Sequence, residues 1–373
     1  FGRAMRTGPV GAFRKATQRR GSKIGGIFGL LPLIGSTGVA IGYTVIVGWI
    51  LRFLFGAATG GMFATESGAY FGEIAGNFGS IGWHIFAIVL TFVVMNAGIS
   101  AGIERANKIV MPLFFFLFVG LAIFVATIPG SEAGYEFLFS PDWSALADPK
   151  TWMYALGQAF FSLSLAGCGT IVYGSYLKND TDIVFSGVMV AVFELIASIL
   201  VALTILPAVF AFGIDPQSGP PLIFITLPSI FAQLPYSQIL AIVFFLAVFF
   251  AGITSLVNLY ETPIEALQEQ FGLSRIASCV VVFGFSLLVG IFLENGDTVS
   301  SWMDIFTIYI MPVGALLAGI MFFWICGKGF AASQIEMGSK YRVGRFIEGL
   351  GKYVYCGVTI IVLILGVVFG GIG

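Results

Sequence analysis

Charged side chains are scarce in this chain. Its 18 Lys and Arg and 19 Asp and Glu make up 10% of 373 residues, against about 25% in soluble domains. A soluble enzyme is therefore excluded as the starting expectation. There is one histidine, His84, and there are four cysteines, Cys168, Cys279, Cys326 and Cys356, with no CxxC and no Cys/His spacing. That shortage argues against a zinc site and against a disulfide framework. No nucleophile–base set stands out either, which sets a membrane enzyme aside. His84 opens an apolar run beside Trp83, where an interfacial anchor is expected rather than a ligand or a proton relay. The first 26 residues carry no apolar core of the signal-peptide kind. The chain opens on Phe1 rather than Met, which points to a fragment.

What is abundant is apolar: 58% of the residues are hydrophobic and the mean hydropathy is +0.99. Nine apolar runs cover roughly 27–51, 82–99, 109–128, 152–176, 183–213, 237–262, 275–293, 304–327 and 353–371. Several exceed the ~18 residues that suggest a membrane-crossing helix. The expectation is an all-α polytopic membrane protein with about nine spans, forming one transmembrane domain over 1–373, with 27–371 holding the spans. Residues 1–26 carry seven basic and no acidic residues. If they are cytoplasmic, the alternating loops put 16 of the 18 Lys and Arg on the same side, leaving Arg52 and Lys150 outside. This is the positive-inside distribution. It predicts a cytoplasmic N-terminus, an outer C-terminus and long outer loops at 52–81, 129–151 and 214–236. Within the last, Leu222–Ala232 is too short to span and fits a re-entrant or lid-like hairpin.

Polar residues inside the apolar runs are few, and lipid penalises each of them. They gather in Gly157–Tyr176, at Glu194 and at Thr254-Ser255. The stretch Ser162-Leu163-Ser164-Leu165-Ala166-Gly167-Cys168-Gly169 is poor helix, since each interior glycine costs about 1 kcal/mol against alanine. Freed backbone groups at membrane depth survive only when buried in protein or lining a cavity. Two half-helices meeting there would aim their dipole ends at one spot, suiting an ion or a zwitterion. A packing seam of small residues is the other reading of the same stretch.

Several segments carry a resemblance. Gly102–Pro112 (GIERANKIVMP), Gly157–Tyr176 with the LKNDTDIV that follows, Phe224–Phe231 (FITLPSIF), Phe249–Ser255 (FFAGITS), Met303-Asp304 and Phe322–Gly327 (FFWICG) occur in an order similar to the neurotransmitter:sodium symporter family, near its bacterial LeuT-type amino-acid transporters. The resemblance implies a LeuT-type inverted-repeat fold with a discontinuous sixth family helix. It also implies sodium-coupled symport of an amino acid by alternating access, with sodium as the coupling ion and no other cofactor. The partners expected are the amino acid, sodium and the lipid bilayer, with no nucleic acid; homo-oligomerisation stays open. The family's first two helices find no counterpart, so the nine runs match its third to eleventh helices. On that reading the chain is an N-terminally truncated transporter. The alternative is a transporter-derived fragment that assembles or regulates without transporting.

The resemblance also suggests roles. Val39 and Tyr43, in Val39-Ala40-Ile41-Gly42-Tyr43, would line the pocket and bind the substrate carboxylate. Phe161 would cap the substrate, Ser164 and Gly167 would face it, and Leu256 and Leu259 would wall its side chain. An aromatic ring often stands in relatives where this chain has Gly167, so a bulky apolar or aromatic substrate is implied. Ser162 and Glu194 would ligate one sodium; the Ala251 carbonyl with Thr254 and Ser255 would ligate another. Gln158, Glu194 and Ser198 match an anion site, at which the Glu194 carboxylate would replace chloride. Asp304 matches the outer gate, and Tyr176 and Glu269 the cytoplasmic one. Glu261, near that gate, reads equally well as a solvated helix-end acid.

Overall fold

A computed structural model of the chain describes residues 1–165, 168–214, 221–340 and 342–369, without the side chains of 100, 101 and 369. Every regular element among them is helical. The basic segment forms α1, Pro9–Gln18, which opens on a proline where the missing N–H has no helical partner to lose. The Gly8 N–H before it donates to Glu265 Oε1 at 2.7 Å. A Cβ on Gly8 would stand 2.0 Å from Glu265 Oε2, so a larger residue there would push the carboxylate aside.

Among the described residues, seven helices are long and apolar enough to cross a membrane: α2 (Gly25–Thr59), α4 (Gly102–Val125), α7 (Ile183–Ala211), α9 (Ser237–Phe271), α10 (Arg275–Leu293), α11 (Gly296–Ile325) and α12 (Gly344–Val368). Two further expected runs take other forms. The run at 82–99 gives α3, Ile81–Asn96, of 16 residues; at about 1.5 Å per residue it is short of a ~30 Å hydrocarbon core. The run at 152–176 is broken into α5, Pro149–Ser162, and α6, Gly169–Tyr176. The apolar segment at 222–232 forms α8, Leu222–Gln233, too short to span, as expected.

Several ends differ from the apolar runs. Helix α2 continues to Thr59, α4 begins at Gly102, α9 continues to Phe271 and α11 begins at Gly296. Hydropathy registers the lipid-facing middle of a span. The ends are set by caps and polar partners: the Asn295 side chain accepts from the N–H groups of Asp297 and Thr298 at 3.0 and 3.4 Å, satisfying first-turn donors.

Helices α2 and α9 form the centre. Ile41, Val45 and Phe53 of α2 are buried in one cluster with Phe244, Phe245 and Tyr260 of α9, joined by Ile88, Phe118 and Phe283 from α3, α4 and α10. The Thr44 and Tyr260 hydroxyls share a 2.7 Å hydrogen bond across the α2–α9 seam. Small residues allow such close backbones. A Cβ on Gly48 would lie 2.9 Å from the His84 backbone nitrogen, so α3 meets α2 there only because the side chain is absent.

His84 corrects its expected role as an interfacial anchor. It is fully buried, with Nδ1 2.8 Å from Glu294 Oε1, and Glu294 is 1% exposed. The Ser80 N–H donates to the other Glu294 oxygen at 3.1 Å, and the Trp49 indole donates to the Ser80 hydroxyl at 3.0 Å. A buried carboxylate tolerates the interior only with such partners, and a hydrophobicity profile cannot see a partner 210 residues away.

Candidate functional site

The break between α5 and α6 carries backbone strain that the sequence anticipates. Ser164 and Cys168 both have φ of 53°, in the left-handed region, where a residue with a Cβ is held at a cost of order 1 kcal/mol or more. The last turn of α5 closes through Leu163 and Leu165, whose N–H groups donate to Ala159 and Phe160 at 3.1 Å. Past that point α6 starts afresh at Gly169. The Phe161 carbonyl likewise accepts from the Ser164 N–H at 3.0 Å, and the Ile171 N–H of α6 donates to the Cys168 carbonyl at 2.9 Å, so both helix ends are closed by turns rather than by a continuous helix.

These ends face a cavity of about 390 Å³. Helix α2 contributes Ser36, Val39 and Tyr43; α5 contributes Gln158, Phe161 and Ser162; Ser164 comes from the break itself. Helix α6 adds Thr170 and Tyr173, and α9 adds Ser255, Asn258 and Leu259, with Val190 of α7 and Met311 of α11 completing it. The Tyr43 phenol faces the Ser255 hydroxyl. Ser36 donates to the Leu259 carbonyl at 3.0 Å, and the Gln158 amide donates to the Ser162 hydroxyl at 3.0 Å. The chemistry is that of a solute pocket: apolar walls, hydroxyls and helix ends, with no carboxylate or cation among the described residues of the lining.

Seven residues singled out as substrate or sodium contacts line this one space, namely Val39, Tyr43, Phe161, Ser162, Ser164, Ser255 and Leu259, together with Gln158. Leu256 does not. It is fully buried in the main core, because it sits one residue round the helix from Ser255. Gly167 lies outside the described residues. Thr254 is turned from the cavity toward a recess between α3, α4 and α9, and its hydroxyl donates to the Ala251 carbonyl at 2.9 Å. That brings two of the three expected ligands of the second sodium site side by side. Glu194 and Ser198 are also brought together, with the serine hydroxyl donating to the carboxylate at 2.8 Å, one helical turn beyond Val190. They and the Gln158–Ser162 pair form two separate hydrogen-bonded pairs.

A second cavity of about 580 Å³ shares Gln158, Phe161 and Met311 with the first and reaches Trp49, Asp297 and Asp304. Phe161, 46% exposed, thus stands between the two spaces. Asp304, expected at an outer gate, lines this second cavity.

On the other side of the central cavity, α6 ends in an ion-pair cluster. The Tyr176 hydroxyl donates to Glu261 Oε1 at 2.8 Å, and the Arg275 guanidinium donates to both oxygens of Glu261 at 2.9 and 2.7 Å. Glu261 is fully buried, so the solvated alternative for it falls: it is the anchor joining α6, α9 and α10. Glu269 is exposed and its carboxylate lies over Gly11 of α1, where a Cβ would meet it at 2.1 Å. Tyr176 is thus tied to Glu261 in this structure, two helical turns before Glu269. Arg275 was missed in the sequence, although a signal existed. It is the first residue of α10, after the Ser274 cap, where the helix dipole disfavours a cation; an arginine retained there has a carboxylate to meet. Ser36, Thr170, Tyr173 and Asn258 were also missed, since a lone polar residue on a helix gives no sign of the face it occupies.

Residues 70–370 match the family model described as sodium:neurotransmitter symporter family. A sodium-dependent transporter of Haemophilus influenzae is 31% identical over 98% of this chain and 84% of its own length. The sodium-dependent transporter YhdH of Bacillus subtilis is 34% identical over 72% of this chain; the matched part is 60% of that relative's length, less than two thirds. The crystal structure of MhsT in complex with L-phenylalanine superposes with a TM-score of 0.87 at 30% identity, covering 98% of this chain and 86% of that one.

Proposed function

The chain belongs to the sodium:neurotransmitter symporter family, and on that premise we propose that it carries an amino acid across the membrane together with sodium by alternating access. It is a multi-pass membrane protein of the LeuT fold. The observation that carries the proposal is the cavity at the α5–α6 break, where Tyr43, Phe161, Ser162, Ser255 and Leu259 converge from three segments of the chain. The amino acid lies there with its charged groups toward the helix ends and Tyr43, and with its side chain against Val39 and Leu259. Sodium is held at two places: near Ser162 with Glu194, and near Ala251, Thr254 and Ser255. Hydroxyls and carbonyls suit this hard cation. Each sodium ion that moves inward down a 100 mV potential releases roughly 2.3 kcal/mol to the cycle. Phe161 closes the outer side beneath the vestibule of Asp304, and the Tyr176–Glu261–Arg275 cluster closes the cytoplasmic side. The basic residues of the first 26 positions lie in the cytoplasm and the C-terminus outside.

The preferred substrate is a bulky apolar or aromatic amino acid. The apolar wall and the ~390 Å³ of space support this, as does the phenylalanine held by the similar MhsT. The test is uptake of labelled amino acids by the full-length protein in liposomes with an inward sodium gradient, against the same gradient of choline. Saturable, sodium-driven uptake in which phenylalanine, tryptophan or leucine outcompetes alanine and glycine is expected. Uptake indifferent to sodium overturns the coupling; alanine and glycine ranking first overturns the substrate class.

A further inference from the structure

A groove of about 880 Å³ lies apart from the transport path, between α2, the last turns of α9, α10 and the start of α11. Its walls are apolar, with Ile27, Ile34 and Phe285 66%, 51% and 53% exposed. At one end stand Arg14 and Lys23, from the basic segment, with Gln270 of α9. At the other end it reaches Ile41 and Trp302. Along α2 it runs from Gly26 to Ile41, which at about 1.5 Å per residue is roughly 22 Å. That is the ~15 Å of one hydrocarbon leaflet plus a headgroup layer. The groove is therefore one leaflet deep, apolar over its length and cationic at its mouth.

The mouth is furnished for an anion. The Arg14 guanidinium donates to the Gln270 side-chain oxygen, which fixes the amide so that its nitrogen turns the other way. That nitrogen is buried and has no acceptor among the described residues. An unmet donor beside two cations calls for an oxyanion. Basic pockets between helices on the cytoplasmic side are the places where anionic lipid headgroups bind.

We infer that this groove is a binding site for an anionic phospholipid of the cytoplasmic leaflet. The phosphate rests on Arg14, Lys23 and the Gln270 amide, and one acyl chain lies along α2 toward Trp302. A zwitterionic lipid would bring its own cation to the same mouth and gain less from it. A second copy of the chain would have to leave both cations and the amide unmet. The inference rests on the cytoplasmic placement of the basic segment and not on the choice of transported solute.

Trp302 provides the probe, since a brominated acyl chain quenches only an indole that it touches. The full-length protein, stripped of lipid in neutral detergent, is titrated with phosphatidylglycerol or phosphatidylcholine carrying brominated chains. The Trp302 component is identified as the part of the quenching lost in Trp302→Phe. At about 1 kcal/mol per basic residue near the headgroups, wild type should show half-maximal quenching at about 30-fold less phosphatidylglycerol than phosphatidylcholine. The exposed-mouth variant Arg14→Gln/Lys23→Gln should bring the two lipids together, and Lys23→Gln alone should leave about a fivefold preference. Salt at about 1 M, where the screening length is about 3 Å, should also shrink the gap. Equal half-points in wild type overturn the inference. So does a phosphatidylglycerol preference that survives the double variant. Absence of Trp302 quenching by either lipid, with a dimer mass by light scattering, overturns it in favour of a second copy on this face.

Discussion

Glu261→Gln tests the cytoplasmic closure without changing the shape of the site. Glutamine keeps the volume and one acceptor oxygen, so the Tyr176 hydroxyl retains a partner; the charge facing Arg275 is lost, and with it one of the two acceptors of its guanidinium. The pair is bidentate at 2.9 and 2.7 Å, with Glu261 fully buried and the Arg275 side chain 18% exposed. Removing one member of a buried pair costs about 3–5 kcal/mol, because the other charge is left uncompensated. Some water reaches Arg275, so the lower figure of about 3 kcal/mol applies. If that energy falls only on the inward-closed state, the open-to-closed ratio shifts by about 150-fold, since 1.36 kcal/mol is tenfold. A single cysteine on the cytoplasmic face of α6 in the full-length protein should then react much faster with a membrane-impermeant reagent in Glu261→Gln, and sodium-driven uptake should fall. The double variant Glu261→Gln/Arg275→Gln removes both charges and should recover most of the lost thermal stability. The reasoning is refuted if both single variants stay within about 0.5 kcal/mol of wild type and the double variant is merely additive.

Glu194→Gln should make a chloride-independent transporter require chloride, because the Ser198 hydroxyl keeps its place while the carboxylate charge is gone; uptake with gluconate replacing chloride measures it, and unchanged uptake removes Glu194 from the role. Thr254→Ala takes away a hydroxyl 2.9 Å from the Ala251 carbonyl and should raise the sodium concentration for half-maximal uptake several-fold, with a smaller change in substrate affinity; the reverse pattern would place Thr254 outside the sodium site. Gly48→Ala puts a Cβ 2.9 Å from the His84 backbone, where neither chain can yield cheaply, and should cost about 1–3 kcal/mol in a detergent melt; an unchanged melting point would show that α2 and α3 separate easily.

How much was legible depends on whether a feature is local. The break at 163–168 announces itself because glycines and serines cannot hold a helix in lipid whatever surrounds them. The long spans do so because about 20 apolar residues have few soluble uses. Tyr43, Phe161 and Ser255 were nameable because each belongs to a short pattern with a known relation to its neighbours. His84 was misjudged for the opposite reason: its environment comes from Glu294, Ser80 and Trp49, on other elements. Leu256 and Ser255 are adjacent in sequence, yet one fills the core and the other lines the cavity. A helix turns about 100° per residue, so an error of one position reverses the assignment, and the apolar all-round surface of α9 gives no stripe to fix the phase.

The charged residues connect these observations. In a chain with so few of them, three buried carboxylates act as long-range constraints. Glu294 ties α3 to the α10–α11 junction through His84, Glu261 ties α6 to α10, and Glu265 ties the start of α1 to α9. Glu261 and Glu265 stand in the last three turns of α9, and Glu294 stands beside the second cavity through Trp49. Alternating access requires contacts that hold one side shut and release it when the other side closes. Beyond the cavity, the seam between α2 and α9 is closely packed apolar core crossed by the Thr44–Tyr260 hydrogen bond, and close packing resists sliding. The ion pairs are discrete and can be exchanged for water at one step of the cycle. The moving parts should therefore divide along Glu261 rather than along the α2–α9 core, with α5 and α6 shifting against a fixed α2, α3, α9 and α10.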